Sequence, residues 1–106
     1  MQTTIGETGA VAPITSLKPN TNANIEATIT SISPVREVTT RRGPGRVADA
    51  TLQDPSGTIT LPLWDQDIDK FQTGQRVRIT DGWVSDGFRG KLRIGRGRSG
   101  RIEVIP

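Results

Sequence analysis

The chain has no cysteine, no histidine and no tyrosine among its 106 residues. Without cysteine and histidine, disulfide bonds, thiolate nucleophiles, Cys/His zinc sites and histidine acid–base catalysis are all excluded. No hydrophobic run approaches the length of a membrane span, and no signal peptide is visible. We therefore expect one soluble, intracellular domain that binds no cofactor or metal and does not associate with membranes.

Aromatic residues are scarce, and all of them lie in the second half of the chain: Trp64, Phe71, Trp83 and Phe88. Residues 76–101 carry eight basic and two acidic side chains, a net charge of +6, and all but one of the eight are arginine. A local excess of arginines, which bind phosphates bidentately, is typical of proteins that bind polyanions. Aromatic rings among arginines suit unpaired bases on a phosphate backbone. The alternative is a small β-domain with aromatics in its core and a solubilising arginine surface.

Alternating apolar and polar residues predict β-strands along most of the chain. Residues 1–13 lack any periodicity and are expected to form a flexible tail ahead of a domain over residues 14–106. A first strand is predicted over residues 24–33, with a bulge near Ser31 where the alternation changes phase, and it resumes over residues 35–39. We expect such a long, bent first strand in a small closed barrel.

A loop and a hairpin are predicted next. Residues 39–45 contain a Gly-Pro-Gly run, so we expect a loop with Arg41 and Arg42 at its tip. The second strand is predicted over residues 46–53. The turn that follows it has proline at its second position and glycine at its fourth, a strong β-turn signal: Asp54-Pro55-Ser56-Gly57.

The third strand, over residues 58–64, has the clearest alternation in the chain. Its apolar face consists of Ile59, Leu61 and Leu63. Trp64 falls on the opposite face, where a large ring needs a reason to be exposed. Pro62 cannot donate a hydrogen bond to a neighbouring strand, so we expect this strand at a sheet edge or beside a gap.

Residues 65–72 are predicted to form one or two helical turns, with Asp65 as the N-cap and Phe71 directed into the core. The aspartates of this segment are spaced like those of a calcium-binding loop. Lysine and arginine, however, stand where the glycine and the bidentate glutamate of such a loop belong, so no metal site is expected.

A fourth strand is predicted over residues 75–83, and strict alternation would direct Trp83 inward with Val77 and Ile79. A bulge at Gly82 would turn the ring outward, so alternation alone does not decide its direction. The remaining predicted elements are a hairpin loop over residues 84–87, a fifth strand over 88–94, a basic turn over 95–100 and a last strand over 101–105.

Three strands, a short helix and two strands are the order of an all-β, five-stranded Greek-key barrel. Such barrels bind oligonucleotides or oligosaccharides on strands two and three and on the loops after strands one and four. The candidate base-stacking residues on this map are Trp64, Trp83 and Phe88. The candidate phosphate-binding residues are Arg41, Arg42, Arg46, Arg76, Arg78, Arg89, Lys91, Arg93 and Arg96. Candidates for further polar contacts are Thr58 and Thr60.

The order and spacing of several short motifs resemble the single-OB-fold single-stranded DNA-binding proteins of archaea, the B subunit of the human SOSS complex and OB domains related to replication protein A. These motifs, within residues 14–105, are ITSLKPN, the D-P-S-G turn, L-P-L-W, G-Q-R-V-R-I and the W…F-R-G-K-L hairpin. The resemblance implies an OB fold in which Trp64, Trp83 and Phe88 stack on bases, and so supports an outward Trp83. Phe88 follows Trp83 by one residue more than is usual in that family, and the chain ends at Pro106 without the family's acidic or Pro/Gly-rich tail.

The function implied by the resemblance is non-enzymatic binding of single-stranded DNA with little sequence preference. It implies protection of this DNA in replication, recombination and repair, with replication or repair proteins as partners. We expect a monomer in the cytoplasm, or at the nucleoid in a prokaryote. Two alternatives stay open: a single-stranded RNA-binding OB protein, because GRGRSG at residues 95–100 resembles an arginine-glycine segment, and a protein-interaction subunit of a larger complex.

Overall fold

The computed structural model describes residues 11–87, 90–97 and 100–105. The predicted tail up to residue 10 and the candidate residues Phe88 and Arg89 lie outside the described residues. After a 3₁₀ turn at Ile14–Ser16, the elements are β1 (Thr21–Ile32), β2 (Arg36–Thr40), β3 (Gly43–Asp54), β4 (Gly57–Trp64), α1 (Asp67–Lys70), β5 (Arg76–Asp86), β6 (Leu92–Gly95) and β7 (Arg101–Ile105).

Five of these strands close into a barrel. Around the ring, β1 pairs with β3, β3 with β4, β4 with β6, β6 with β5, and β5 again with β1. The β4–β6 contact is parallel and the other four are antiparallel. β2 pairs with the first half of β3, and β7 pairs with the first half of β5, so both lengthen the barrel wall. The predicted five-stranded barrel with a short helix between its third and fourth strands is confirmed.

The core fills the inside of this barrel with one side chain from every second position of each strand. The predicted inward residues of β4 are confirmed, since Leu61 and Leu63 are completely buried and Ile59 is nearly so. Phe71, just after α1, is 6% exposed and packs in the same cluster, as predicted. Burial of these side chains is the main source of stability for a barrel of this size.

Two irregularities predicted from the sequence are confirmed, one from a change of alternation and one from the missing N–H group of a proline. The β1–β3 register shifts between Ile29 and Ser31, which is the bulge expected near Ser31. Between β4 and β6, the pairing in the described part of the chain is confined to Thr60 and Arg93. Pro62 therefore lies past the end of that ladder, beside the expected gap, where a missing N–H group costs nothing.

Several predicted boundaries are wrong. The Gly-Pro-Gly run belongs to β3, which begins at Gly43, so the loop is shorter than residues 39–45 and consists of Arg41 and Arg42. Tertiary pairing of this segment with β2 overrides its loop-like composition. β5 runs on to Asp86, so most of the loop predicted at residues 84–87 is strand. β6 correspondingly begins at Leu92, not at residue 88.

The predicted N-cap is also wrong, because Asp65 does not cap α1. The N-cap is Gln66, without a side-chain hydrogen bond. Asp65 has a φ of 46°, and its Oδ1 atom accepts a hydrogen bond from the backbone N–H of Arg46 at 3.0 Å. Its carboxylate thus ties the end of β4 to β3. In the described part of the chain, no helix is long and apolar enough to cross a membrane.

Candidate nucleic-acid interface

Trp64 is directed outward at the end of β4, as the alternation predicts, and 46% of its surface is exposed. It pairs across the sheet with Val47 of β3. Paired residues of antiparallel strands point to the same face, so Val47 also points outward. Val47 is nevertheless only 4% exposed and lies outside the main core cluster. Val47 is thus covered on the outer face, whereas its cross-strand neighbour Trp64 keeps nearly half of its surface open.

The predicted polar residues share this face. Thr58 and Thr60 alternate with the buried residues of β4, and Thr60 is half-buried while Thr58 is exposed. Their partners on β3 are also polar: Thr60 pairs with Thr51, and Thr58 with Gln53. A row of hydroxyl and amide groups therefore leads along the sheet toward Trp64.

Trp83 also points outward, with 42% of its surface exposed. The cause is a bulge in β5. Between two matched pairs with β1, Ala23–Gly82 and Ile25–Ile79, β5 contains one residue more than β1. The predicted outward ring is confirmed, but the residue with positive φ is Asp81, at 55°, and not Gly82. A side chain at position 82 would point into the barrel.

Gly82 is needed for close packing. A Cβ atom at this position would lie 2.7 Å from Cγ2 of Ile79 and 2.9 Å from the carbonyl oxygen of Gly95. Neither atom can move away freely, because both belong to neighbouring parts of the barrel wall. Any larger residue here, next to the exposed Trp83, would force these neighbours to shift.

β6 lies in the sheet between β4 and β5, the two strands that carry the tryptophans. Arg93 pairs with Thr60 of β4 on one side and with Ser85 of β5 on the other. Two residues farther along β6, Gly95 pairs with Trp83. Trp64 and Trp83 thus lie on the outer face of one continuous sheet, with Arg93 between their strands.

The arginines predicted to bind phosphates do not all point to the same face. Arg41 and Arg42 form the exposed tip of the β2–β3 hairpin, where Thr40 Oγ1 accepts a hydrogen bond from the N–H of Arg42 at 3.2 Å. Neither forms an ion pair with any part of the chain that the structure describes. Arg46 directly precedes Val47 in β3, and successive residues of a strand point to opposite faces. The Arg46 side chain therefore points to the face of the hairpin opposite Val47 and Trp64.

Basic residues also follow the β5–β6 connection. The backbone N–H of Gly87 donates a hydrogen bond to the carbonyl of Lys91 at 2.6 Å, and the Lys91 side chain is exposed. Arg93 lies against Gly87, since a Cβ atom on that glycine would be 3.0 Å from its Nε. Arg96 is held by α1 through an ion pair of 2.9 Å with Asp67.

Arg76 and Arg78 are not brought to the side of the barrel that carries Trp64. They lie on the outer side of β5 and both form ion pairs with Glu26 of β1, that of Arg76 at 3.4 Å. In a ring of five strands, the β1–β5 seam is opposite β4. The structure thus separates these two arginines from Trp64, although the sequence grouped them together.

Sequence reasoning missed Arg36. It pairs with Val47 and so lies on the outer face, on the side of Val47 away from Trp64. Its Nη2 atom is 3.3 Å from Oδ2 of Asp49, which shares this face. The alternation of Arg36 and Glu37 was visible in the sequence, but only the strand register shows which of them shares a face with Trp64. Within residues 11–87, 90–97 and 100–105, no group of acidic side chains could hold a metal ion.

Comparison with known proteins places this geometry among nucleic-acid-binding domains. The family model described as OB-fold nucleic acid binding domain matches residues 23–105. The single-stranded DNA binding protein Ssb of Saccharolobus solfataricus is 27% identical over 88 residues, which cover 82% of this chain and 59% of that protein. Replication factor A of Methanothermobacter thermautotrophicus is 29% identical over 96 residues, covering 87% of this chain and 12% of that protein.

The fold is also that of a solved archaeal protein. The structure of the replication factor A related protein from Methanobacterium thermoautotrophicum matches with a TM-score of 0.73 and 25% sequence identity, over 91% of both chains. The chain spans only part of the two curated relatives, 59% of one and 12% of the other. The similarity therefore concerns the barrel and does not extend over those whole proteins.

Proposed function

The chain belongs to the OB-fold nucleic acid binding domain family, and we propose from its outer face that it binds single-stranded DNA with little sequence preference. The observation that carries this proposal is the pair of tryptophans, Trp64 and Trp83, exposed on one continuous sheet face. Each ring stacks on one base. Stacking does not distinguish the bases, because every base has a π face. Phe88 is included as a third stacking residue from the sequence alone.

The energies of these contacts are sufficient for binding. A stacked base contributes about 1–3 kcal/mol when measured by alanine substitution. Two or three such contacts, together with phosphate contacts, hold a segment of a single strand on one barrel, within a site of about 4–16 nucleotides.

The phosphates are bound by basic side chains at the edges of this face. Arg41 and Arg42 extend from the hairpin tip, and Lys91 and Arg93 border the connection from β5 to β6. We also include Arg89 from the sequence. Arg46 points to the other face of its hairpin, and Arg76 and Arg78 are paired with Glu26 at the seam opposite β4, so the proposal assigns them no direct contact. Since each bound phosphate releases counterions, the affinity should fall steeply with salt concentration.

The name of one curated relative, replication factor A, supports a role in DNA replication, and that of the other supports binding of single-stranded DNA. We propose that this chain covers single-stranded DNA in the cytoplasm or at the nucleoid, without catalysing a reaction on it. Roles in recombination and repair, protein partners and a monomeric state belong to the same proposal.

The proposal is tested by titrating a fluorescent dT oligomer with the wild-type protein and with Trp64→Ala and Trp83→Ala. Each variant is expected to bind about 5- to 100-fold more weakly, the equivalent of one lost stacking contact. Val104→Ala is the matched control, because Val104 is 46% exposed, as Trp64 is, but lies on β7. Its affinity should equal that of the wild type.

Circular dichroism must show that the variants remain folded. Wild-type affinity in both folded tryptophan variants would contradict the stacking model. A matched RNA oligomer is measured in parallel. Stacking alone does not read the 2′-OH group, so the two tryptophans do not distinguish DNA from RNA. Tighter binding of RNA than of DNA would therefore favour the RNA-binding alternative over the DNA proposal.

A further inference from the structure

Arg36, Val47 and Trp64 form one row across β2, β3 and β4. Val47 pairs with Arg36 on one side and with Trp64 on the other. Since neighbouring strands are about 4.8 Å apart, Arg36 and Trp64 are separated by about 10 Å on the same face. A single nucleotide can span this distance with its base on the ring and its phosphate on the guanidinium group.

The Arg36 side chain is held in place but remains available. Asp49 contacts it through one terminal nitrogen, Nη2, at 3.3 Å, and 58% of the arginine side chain is exposed. A guanidinium group has five N–H donors in a planar fork, so one such contact leaves donors for a second partner. A carboxylate that fixes the side chain also reduces the entropy lost when a ligand binds to it.

We propose that Arg36 is a further DNA-binding residue, which binds the phosphate of the nucleotide whose base stacks on Trp64. Asp49 positions the guanidinium group for this contact. The inference deepens the proposed function and rests on it. It adds a phosphate site on the β2 side of Trp64, opposite the side where Arg93 lies.

The chain contains a matched control for this inference. Arg76 is also paired with a carboxylate, Glu26, at 3.4 Å, and its side chain is 53% exposed. It differs from Arg36 in position, because it lies at the β1–β5 seam, opposite β4. Arg36→Ala and Arg76→Ala therefore each remove one positive charge and one ion pair, the first in the row of Trp64 and the second at the β1–β5 seam, where Glu26 keeps its pair with Arg78.

The affinity of both variants for a dT oligomer is measured at several salt concentrations. Arg36→Ala is expected to bind about tenfold more weakly and to lower the slope of log K against log salt by about 0.7, the value for one phosphate contact on a single strand. Arg76→Ala should stay within about twofold of the wild type, with an unchanged slope. Equal losses in the two variants would show a general charge effect and overturn the inference.

Arg36→Ala could weaken binding in two ways: by loss of the phosphate contact, or by leaving the Asp49 carboxylate unpaired. A second variant distinguishes these two effects. In Arg36→Ala, Asp49 loses its partner and would repel phosphates. The double variant Arg36→Ala/Asp49→Ala removes that repulsion. If the phosphate contact is real, the double variant still shows the reduced salt slope and weaker binding than the wild type. Recovery of wild-type affinity and slope would overturn the inference.

Failure of this inference is distinguishable from failure of the proposed function. Loss of binding in Trp64→Ala together with wild-type binding in Arg36→Ala would remove only the phosphate site. A wild-type protein that binds neither the DNA nor the RNA oligomer at low salt would contradict the proposed function itself.

Discussion

Trp64 and Trp83 are exposed to similar extents, yet their side chains reach the surface for different reasons. Trp64 follows the simple alternation of β4. Trp83 is turned outward by one extra residue in β5, where Asp81 adopts a φ of 55°. Asparagine and aspartate tolerate this left-handed conformation better than most residues. The N–H of Asp81 donates a hydrogen bond of 2.7 Å to Oδ1 of Asn24, so a residue of β1 stabilises the bulge.

Gly82→Ala is expected to destabilise the protein by about 1–3 kcal/mol, because the added methyl group overpacks the barrel wall. The clash is with Ile79 and with the Gly95 carbonyl, at 2.7 and 2.9 Å. Urea unfolding followed by circular dichroism measures the change. Gly95→Ala is the control, since a Cβ atom there meets nothing within 4 Å, and it should change stability by less than about 0.5 kcal/mol. Equal effects of the two substitutions would contradict the packing explanation.

Among the elements, the β3–β4 hairpin has the longest uninterrupted register in the described sheet, with eight residue pairs from Val47–Trp64 to Asp54–Gly57. Its turn is stabilised by Asp54, whose Oδ1 accepts hydrogen bonds from the N–H groups of Ser56 at 2.7 Å and Gly57 at 3.0 Å. Its Oδ2 accepts one from the N–H of Ile14 at 2.9 Å. Burial raises the pKa of Asp54, but the hydrogen bonds, that of the Ser56 side chain first, lower it more, so it lies below the ordinary 3.8.

This shift predicts how the stability of the hairpin depends on pH. A carboxyl whose pKa is lowered by folding stabilises the protein fully above its unfolded pKa, near 3.8, and loses this effect as the pH falls through the lower folded pKa. Asp54→Asn should therefore destabilise the protein by about 1 kcal/mol at neutral pH. The difference from the wild type should shrink as the pH falls below 3.8.

Urea unfolding at a series of pH values measures this difference. Asp86→Asn serves as the control because Asp86 is exposed at the end of β5, and the stability of this variant should match the wild type throughout. A difference between Asp54→Asn and the wild type that stays constant down to the acid range would contradict the role assigned to the Asp54 carboxylate.

At the scale of the whole molecule, closure of the ring distributes the basic residues over two sides. Arg36, Arg93 and the hairpin tip border the tryptophan face, whereas Arg76 and Arg78 share the carboxylate of Glu26 at the seam opposite β4. A ligand therefore meets a local field that differs from the net charge of +3.

The affinity for DNA should respond to salt but not to pH near neutrality. No side chain of the chain ordinarily titrates between about pH 5.5 and 7.5, because histidine and cysteine are absent. At constant ionic strength, the dissociation constant for a dT oligomer is expected to vary by less than about twofold across this range. Fluorescence titrations at several pH values measure it. A step in affinity near pH 6.5 would contradict the expectation and would imply a strongly shifted carboxyl in the interface.

Residue type and spacing alone predicted the barrel, its short helix and the outward direction of Trp64. Period-two alternation is a local property, so it identified the inward residues of β4 and the outward Trp64 correctly. The Asp-Pro-Ser-Gly turn and the inward Phe71 are likewise local consequences of residue type and spacing. The loop boundaries at Gly43 and Val84 were wrong, because hairpin pairing with the adjacent strand in the chain overrode their composition.

Which arginines lie near Trp64 follows from the strand order and register of the folded barrel. The direction of an alternating side chain is readable from the sequence, but its position around a closed ring depends on strand register and order. Those pairings join residues far apart in the chain, as Arg76 and Glu26 show. The same reason explains why Arg36 was missed and why the resemblance to known proteins, not the alternation, supported an outward Trp83. Its bulge depends on Asn24, which no local pattern connects to Asp81.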